Sequence, residues 1–126
     1  VIFCIGETLK EKNKGKTFYI LRKQIKDSIE KRYNINNFLF AYEPVWSIGT
    51  NKILKANELE ETIIFIKNEL KKIFKTKMNP RVLYGGSVNQ NNIKIFSPLD
   101  EIDGFLIGGA SQSPKKFIDI IKNYYK

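Results

Sequence analysis

Glu43 is the residue of this chain best placed to do chemistry. It follows the apolar run at residues 38–42, and Pro44, which has no N–H for a neighbouring strand, stops any ladder directly behind it. Val45, Trp46, Ser47, Ile48, Gly49 and Thr50 follow in a segment too short and irregular for a helix. This is the layout of a general base beside a hinged lid, with Pro44 stiffening one end and Val45, Trp46 and Ile48 giving the lid something apolar to bury on closing. A glutamate after a strand is more often just a solvated strand end, so the reading depends on what lies downstream.

Downstream stand two glycine pairs, in Tyr84-Gly85-Gly86-Ser87-Val88 and in Asp103-Gly104-Phe105-Leu106-Ile107-Gly108-Gly109-Ala110-Ser111. Each follows a short apolar strand and precedes a helical pattern. Glycine there lets backbone N–H groups approach a ligand without an intervening Cβ, and consecutive N–H groups leading into a helix suit phosphate. One such pair is an ordinary turn signal. Two in strand-to-helix loops, both after Glu43, point to a site.

Taken together and in order, YEPVWSIGT, YGGSV and DGFLIGGAS, with Cys4-Ile5-Gly6-Glu7 near the start, resemble the triosephosphate isomerase family along the whole chain. The resemblance implies the C-terminal half of a (β/α)₈ barrel: four βα units with parallel strands, the fifth to eighth of that barrel, as one partial-barrel unit over residues 1–126. It implies interconversion of dihydroxyacetone phosphate and D-glyceraldehyde 3-phosphate through an enediolate, a step of glycolysis and gluconeogenesis, with Glu43 as the base. Enclosure under an apolar lid, with Ile48 and Leu106 as neighbours, strengthens a carboxylate base; lid-closing enzymes in general work this way, and this family is a standard instance.

The same resemblance implies that backbone N–H groups of Gly49, Ser87, Gly108 and Gly109 grip the substrate phosphate. Pro44, Val45, Trp46, Ile48 and Thr50 would form the lid, with Tyr84 and Ser87 hydrogen-bonding it when closed and Trp46 meeting Glu7. It implies no cofactor and no metal, a cytoplasmic location, and a homodimer for the complete enzyme; dimerisation does not carry over to this chain, because the family's main dimer loop belongs to the other half. The chain departs from the family's pattern at Asn51, where a second glycine is usual. Asn tolerates left-handed backbone better than most residues. The family's Asn and Lys from the first strand's loop and its His after the fourth strand have no counterpart, and the chain contains no histidine. The chain alone is therefore expected to be nearly inactive and to need the N-terminal half as a partner. The alternative is a non-catalytic, phosphate-binding half barrel.

Length and composition fit this frame. A complete barrel of this kind takes about 250 residues, and the chain has 126. Val1 begins inside an apolar strand pattern, so the sequence reads as a piece of something longer. The net charge is +9, but the lysines are spread through helical stretches among glutamates. Arginine occurs only at Arg22, Arg32 and Arg81, with no aromatic-basic stripe, which argues against nucleic acid as a partner. No apolar run approaches the ~20 residues of a membrane span, and the single Cys4 has no internal disulfide partner.

The elements that must position Glu43 and the glycines alternate regularly. Strands are expected at 1–5, 38–42, 81–84 and 105–107. A helix with Phe18, Leu21, Ile25 and Ile29 on one face is expected over 17–33. A second, capped by Asn57 with Glu60 as its capping-box partner, should present Leu59, Ile63, Ile66, Leu70 and Ile73. A short helix is expected over 89–96, and Ser113-Pro114 should open a last one facing Phe117, Ile120, Ile121 and Tyr124 inward. Such an alternation builds a parallel sheet packed under helices, with two unpaired edges.

Overall fold

The computed structural model describes residues 1–126. Four strands, β1 (Ile2–Ile5), β2 (Leu39–Tyr42), β3 (Val82–Tyr84) and β4 (Gly104–Phe105), form one sheet in the order β1-β2-β3-β4, every pair parallel. The intervening helices are α1 (Leu9–Asn13), α2 (Thr17–Ser28), α3 (Ala56–Phe74), α4 (Ile93–Phe96) and α5 (Pro114–Tyr124). Sequential parallel strands with helical crossovers are what the alternating pattern requires. This is an α/β fold with four βα units, half the number that a (β/α)₈ barrel contains.

Register explains how the two faces of the sheet divide. Phe3 pairs with Phe40, Phe40 with Val82, and Tyr42 with both Ile5 and Tyr84, so these side chains share the face under the helices. There Leu21 and Ile25 of α2 and Leu59, Ile63, Ile66 and Leu70 of α3 are wholly buried against them. Aromatic contacts run on through this layer, from Phe3 and Phe38 to Phe40 and from Tyr84 through Phe96 and Phe105 to Tyr124. The opposite face carries Ile2, Cys4, Leu39, Ala41 and Leu83; Ile2 and Cys4 are exposed, Ala41 is buried, and none of the five joins the helix-side cluster.

The structure corrects several local expectations. α3 starts one residue before Asn57: Lys55 is its N-cap and no side chain caps it. The buried Leu54 anchors the chain just ahead, which fixes where the helix begins. α2 ends at Ser28, with Ile29 buried as its C-cap, and the expected helix residues beyond give way to turns and a 3-10 turn at Ile35–Asn37. α4 begins only at Ile93, because the Asn89 side chain takes the N–H groups of Asn91 and Asn92 into a local turn. β4 occupies Gly104–Phe105, although Leu106 N–H still donates to Tyr84 O at 2.9 Å. α5 does start at Pro114 with Ser113 as cap, but Phe117 and Ile121 are 40% and 47% exposed and only Ile120 is buried. The short α1 was not foreseen, although Thr8 and Glu11 form a complete capping box.

Candidate active site

Glu43 follows β2 immediately, and its place is set by the chain on either side. Its N–H donates to Ile5 O at 2.7 Å, and Val45 N–H donates to Glu7 O at 3.0 Å, so the extension of β1 holds both ends of the Glu43-Pro44 step. Gly6 makes this possible: a Cβ there would come within 1.8 Å of Glu43 O. Gly6 is held in turn by Gln24 of α2, whose amide bonds both its N–H and its carbonyl at 3.0 Å. A side chain on Gly85 would come within 2.7 Å of Glu43 Cγ. The first glycine of that pair therefore gives the carboxylate room, and the second keeps clear of Ser47 Oγ and the Tyr84 hydroxyl.

The carboxylate opens onto a cavity of about 450 Å³ at the C-terminal ends of the strands. Ile48, Gly49, Ser87, Gly108 and Gly109 line it with Glu43, and Leu106 stands in its wall. Gly108 and Gly109 have nothing within 4 Å of where a Cβ would lie. Unlike Gly85 and Gly86, they answer no packing demand from this chain. No N–H or O–H group donates to the Glu43 carboxylate. Its neighbour on the open face is Cys4, whose thiol is pushed up to about 11 by burial and then by the Glu43 carboxylate. A second cavity, of about 500 Å³, lies at the other end of the strands between Ile2, Phe38, Leu39, Pro80 and Arg81, away from these groups.

Between Glu43 and α3 the chain folds into overlapping turns. Ser47 N–H donates to Pro44 O, and Thr50 Oγ1 donates to Trp46 O at 2.9 Å and Ser47 O at 3.1 Å. Gly49 (φ 68°) and Asn51 (φ 60°) both adopt left-handed backbone, so Asn51 supplies the geometry without glycine. The segment is latched to the Gly85-Gly86 loop. Ser87 Oγ donates to Ser47 O, Ser87 N–H donates to Ser47 Oγ at 3.2 Å, and Asn51 N–H donates to Ser87 Oγ at 3.1 Å. Its other tether is Trp46, whose indole N–H donates to Glu7 Oε1 at 2.9 Å with Lys12 over the ring.

Pro44 is buried, and Val45 points outward at 52% exposure, so neither borders the cavity. Glu7, Trp46, Thr50 and Tyr84 also lie outside its lining. Glu7 is fully buried and accepts from the Tyr42 hydroxyl at 3.1 and 3.2 Å, an arrangement in which burial, then Glu7, pushes the Tyr42 phenol up. The Tyr84 hydroxyl is buried beside Ser47 of the lid segment, whose own hydroxyl donates to Lys52 O. Ser47 and Lys116 are the residues that sequence reasoning missed: one latches the segment and the other lines the cavity. No periodicity marks Ser47, whose role comes from how two loops meet, and Lys116 is hidden among many lysines.

Parallel strands, helical crossovers and a carboxylate with glycine loops at the C-terminal strand ends place the chain in the α/β class, where (β/α) barrels and open doubly wound sheets both set their sites at that end. Comparison with known proteins narrows this further. The sequence model of the triosephosphate isomerase family matches residues 1–124. The triosephosphate isomerase of Thermodesulfovibrio yellowstonii is 42% identical over 123 residues, covering 97% of this chain and 50% of that protein. That of Dictyoglomus thermophilum is 39% identical over 126 residues, with 97% and 51% covered, and that of Coprinopsis cinerea 42% over 125, with 96% and 49%. The chain belongs to the triosephosphate isomerase family, and it spans about half the length of these curated relatives.

Proposed function

We propose that this chain is the catalytic-base half of a triosephosphate isomerase, residues 1–126 forming one partial barrel that works once a complementary half is in place. The observation that carries this reading is that Glu43 shares one cavity with Gly49, Ser87, Gly108 and Gly109. Isomerising an α-hydroxy ketone to an aldehyde moves a proton between adjacent carbons, and one carboxylate over both carbons can do it. Phosphate held by N–H groups at the other end of the cavity would fix the reacting carbons over Glu43. Its binding energy would also draw the latched segment shut, keeping water from the enediolate. The polarising electrophile would come from the complementary half, with substrate as the sole small-molecule partner and the full enzyme a cytoplasmic homodimer.

The test is dihydroxyacetone phosphate isomerisation by the chain alone and mixed with the N-terminal half of a relative. Activity in the mixture alone, lost in Glu43→Gln, is the expected result. An assembled but silent mixture that still binds phosphoglycolate no better than inorganic phosphate would replace this reading with a non-catalytic phosphate-binding half barrel.

A further inference from the structure

β1 has β2 on one side and a free edge on the other, and its backbone divides between the two. The carbonyls of Val1, Ile5 and Glu7 accept from Leu39, Glu43 and Val45, so the odd-numbered residues address β2 and its extension. In a parallel ladder the residues between them turn their N–H and C=O groups to the other side. Ile2, Cys4 and Gly6 therefore address the edge that no strand of this chain covers. At Gly6 that edge is already filled. Gly6 N–H donates to Gln24 Oε1, and Gln24 Nε2 donates to Gly6 O, both at 3.0 Å. An amide head offers an acceptor and a donor side by side, so it satisfies both groups in place of a neighbouring strand. Gln24 reaches Gly6 from a fixed platform, since Leu21 and Ile25 beside it on α2 are fully buried. Gly6 is also where the chain presses on the candidate base, a Cβ there falling 1.8 Å from Glu43 O.

We propose that Gln24 is a positioning residue for Glu43: by closing the free edge of β1 at Gly6, it fixes the strand extension against which the Glu43-Pro44 step is built. This rests on the reading of Glu43 as the base. Gln24 does not line the cavity and acts through the backbone alone. Its clamp on Gly6 sets the carbonyls of Ile5 and Glu7, and these hold the N–H groups of Glu43 and Val45.

The experiment compares Gln24→Ala, Gln24→Glu and Arg22→Ala in the chain assembled with the N-terminal half of a relative, measuring kcat, KM and urea unfolding. Gln24→Glu keeps the size and the acceptor but loses the donor to Gly6 O, and it serves if Gln24→Ala fails to fold. Arg22 lies on the same helix but bonds Glu69, so its loss reports stability without touching Gly6. Both Gln24 variants should lower kcat by on the order of ten- to a hundredfold, the scale of a misplacement near 1 Å, and leave KM within about twofold. Phosphoglycolate should bind them more weakly, while inorganic phosphate should bind as before. Amide exchange at Glu43 and Val45 should quicken in both. Arg22→Ala should move none of these readouts, whatever it costs in urea. An unchanged kcat in Gln24→Glu, a loss matched by Arg22→Ala, or a loss carried by KM would overturn the role of Gln24 and leave the isomerase reading standing. No turnover by the unsubstituted assembly would overturn the base reading, and Gln24 with it.

Discussion

Glu7 and Glu43 follow neighbouring strands at the same end of the sheet, yet they live in opposite circumstances. Glu7 is wholly buried, and its two oxygens accept from Tyr42 and Trp46. Glu43 is half-buried, faces a cavity and receives no N–H or O–H donor. A carboxylate whose lone pairs are occupied serves as a tether, and here it tethers Trp46, three residues after Glu43. One that meets only the weak donor of the Cys4 thiol keeps the capacity to take a proton. The same residue type, set after consecutive strands, is thus divided between holding the lid segment and standing ready beside it.

Substituting the two glutamates should separate these roles. In the assembled barrel, Glu43→Gln should lower kcat/KM by about 10²–10⁴-fold, the range for a general base, without moving the thermal midpoint. A loss under tenfold would break the comparison. Gly85→Ala should follow, because its Cβ would fall 2.7 Å from Glu43 Cγ and push the carboxylate aside. A shift near 1 Å costs roughly 10²-fold in turnover, and unchanged turnover would show that Glu43 can move freely.

Glu7→Ala should do the reverse, costing stability. It leaves the Tyr42 hydroxyl unpaired in the core and frees the Trp46 indole, about 1–3 kcal/mol for the buried group, read by urea unfolding. Glu7→Gln, which keeps an acceptor, should cost less. If Glu7→Ala unfolds no more easily than the unsubstituted chain, Glu7 is not the tether described here.

Much of this was legible because it is locally encoded. The face of α3 repeats apolar residues at helical spacing, and Leu59, Ile63, Ile66 and Leu70 are all fully buried. The motif order and the apolar runs placed the parallel strands to within a residue or two. What failed depends on contacts between segments distant in sequence. Phe117 and Ile121 have the right period, but they flank a groove of about 600 Å³ beside the unpaired edge of β4, so their burial depends on what stands beyond that edge. Asn57 with Glu60 imitates a capping box, while the anchored Leu54 decides the helix start. Thr8 with Glu11 carries the same signal truly, on a helix of five residues with no apolar face to announce it. The Ser47–Ser87 latch joins two loops and has no local trace. Gly85 and Gly86 looked like anion-site glycines of the same kind as Gly108 and Gly109. Only three-dimensional packing shows that the first pair makes room for Glu43 and Ser47 while the second borders open space.

The smallest effect is the sharpest probe of which glutamate faces the open side of the sheet. Cys4 is exposed, yet burial of its sulfur, then its hydrogen bond to Glu43 and the charge of that carboxylate push its thiol from 9.0 to about 11. In the unfolded chain the thiol ionises near its ordinary value; in the folded chain it stays protonated over the next two pH units. The folded state therefore binds more protons in that window, and the stability linked to Cys4, complete below pH 9, falls as pH rises towards 11. Reactivity must fall as well, since the thiolate is the nucleophile. At pH 9 alkylation of Cys4 should run roughly fiftyfold slower in the folded chain than in the unfolded one. Glu43→Gln should recover part of that rate by removing the adjacent negative charge, and Glu7→Gln should recover none. Equal recovery from the two substitutions would mean that Cys4 senses the general field of the strand ends, and the distinction between the carboxylates would lose its geometric basis.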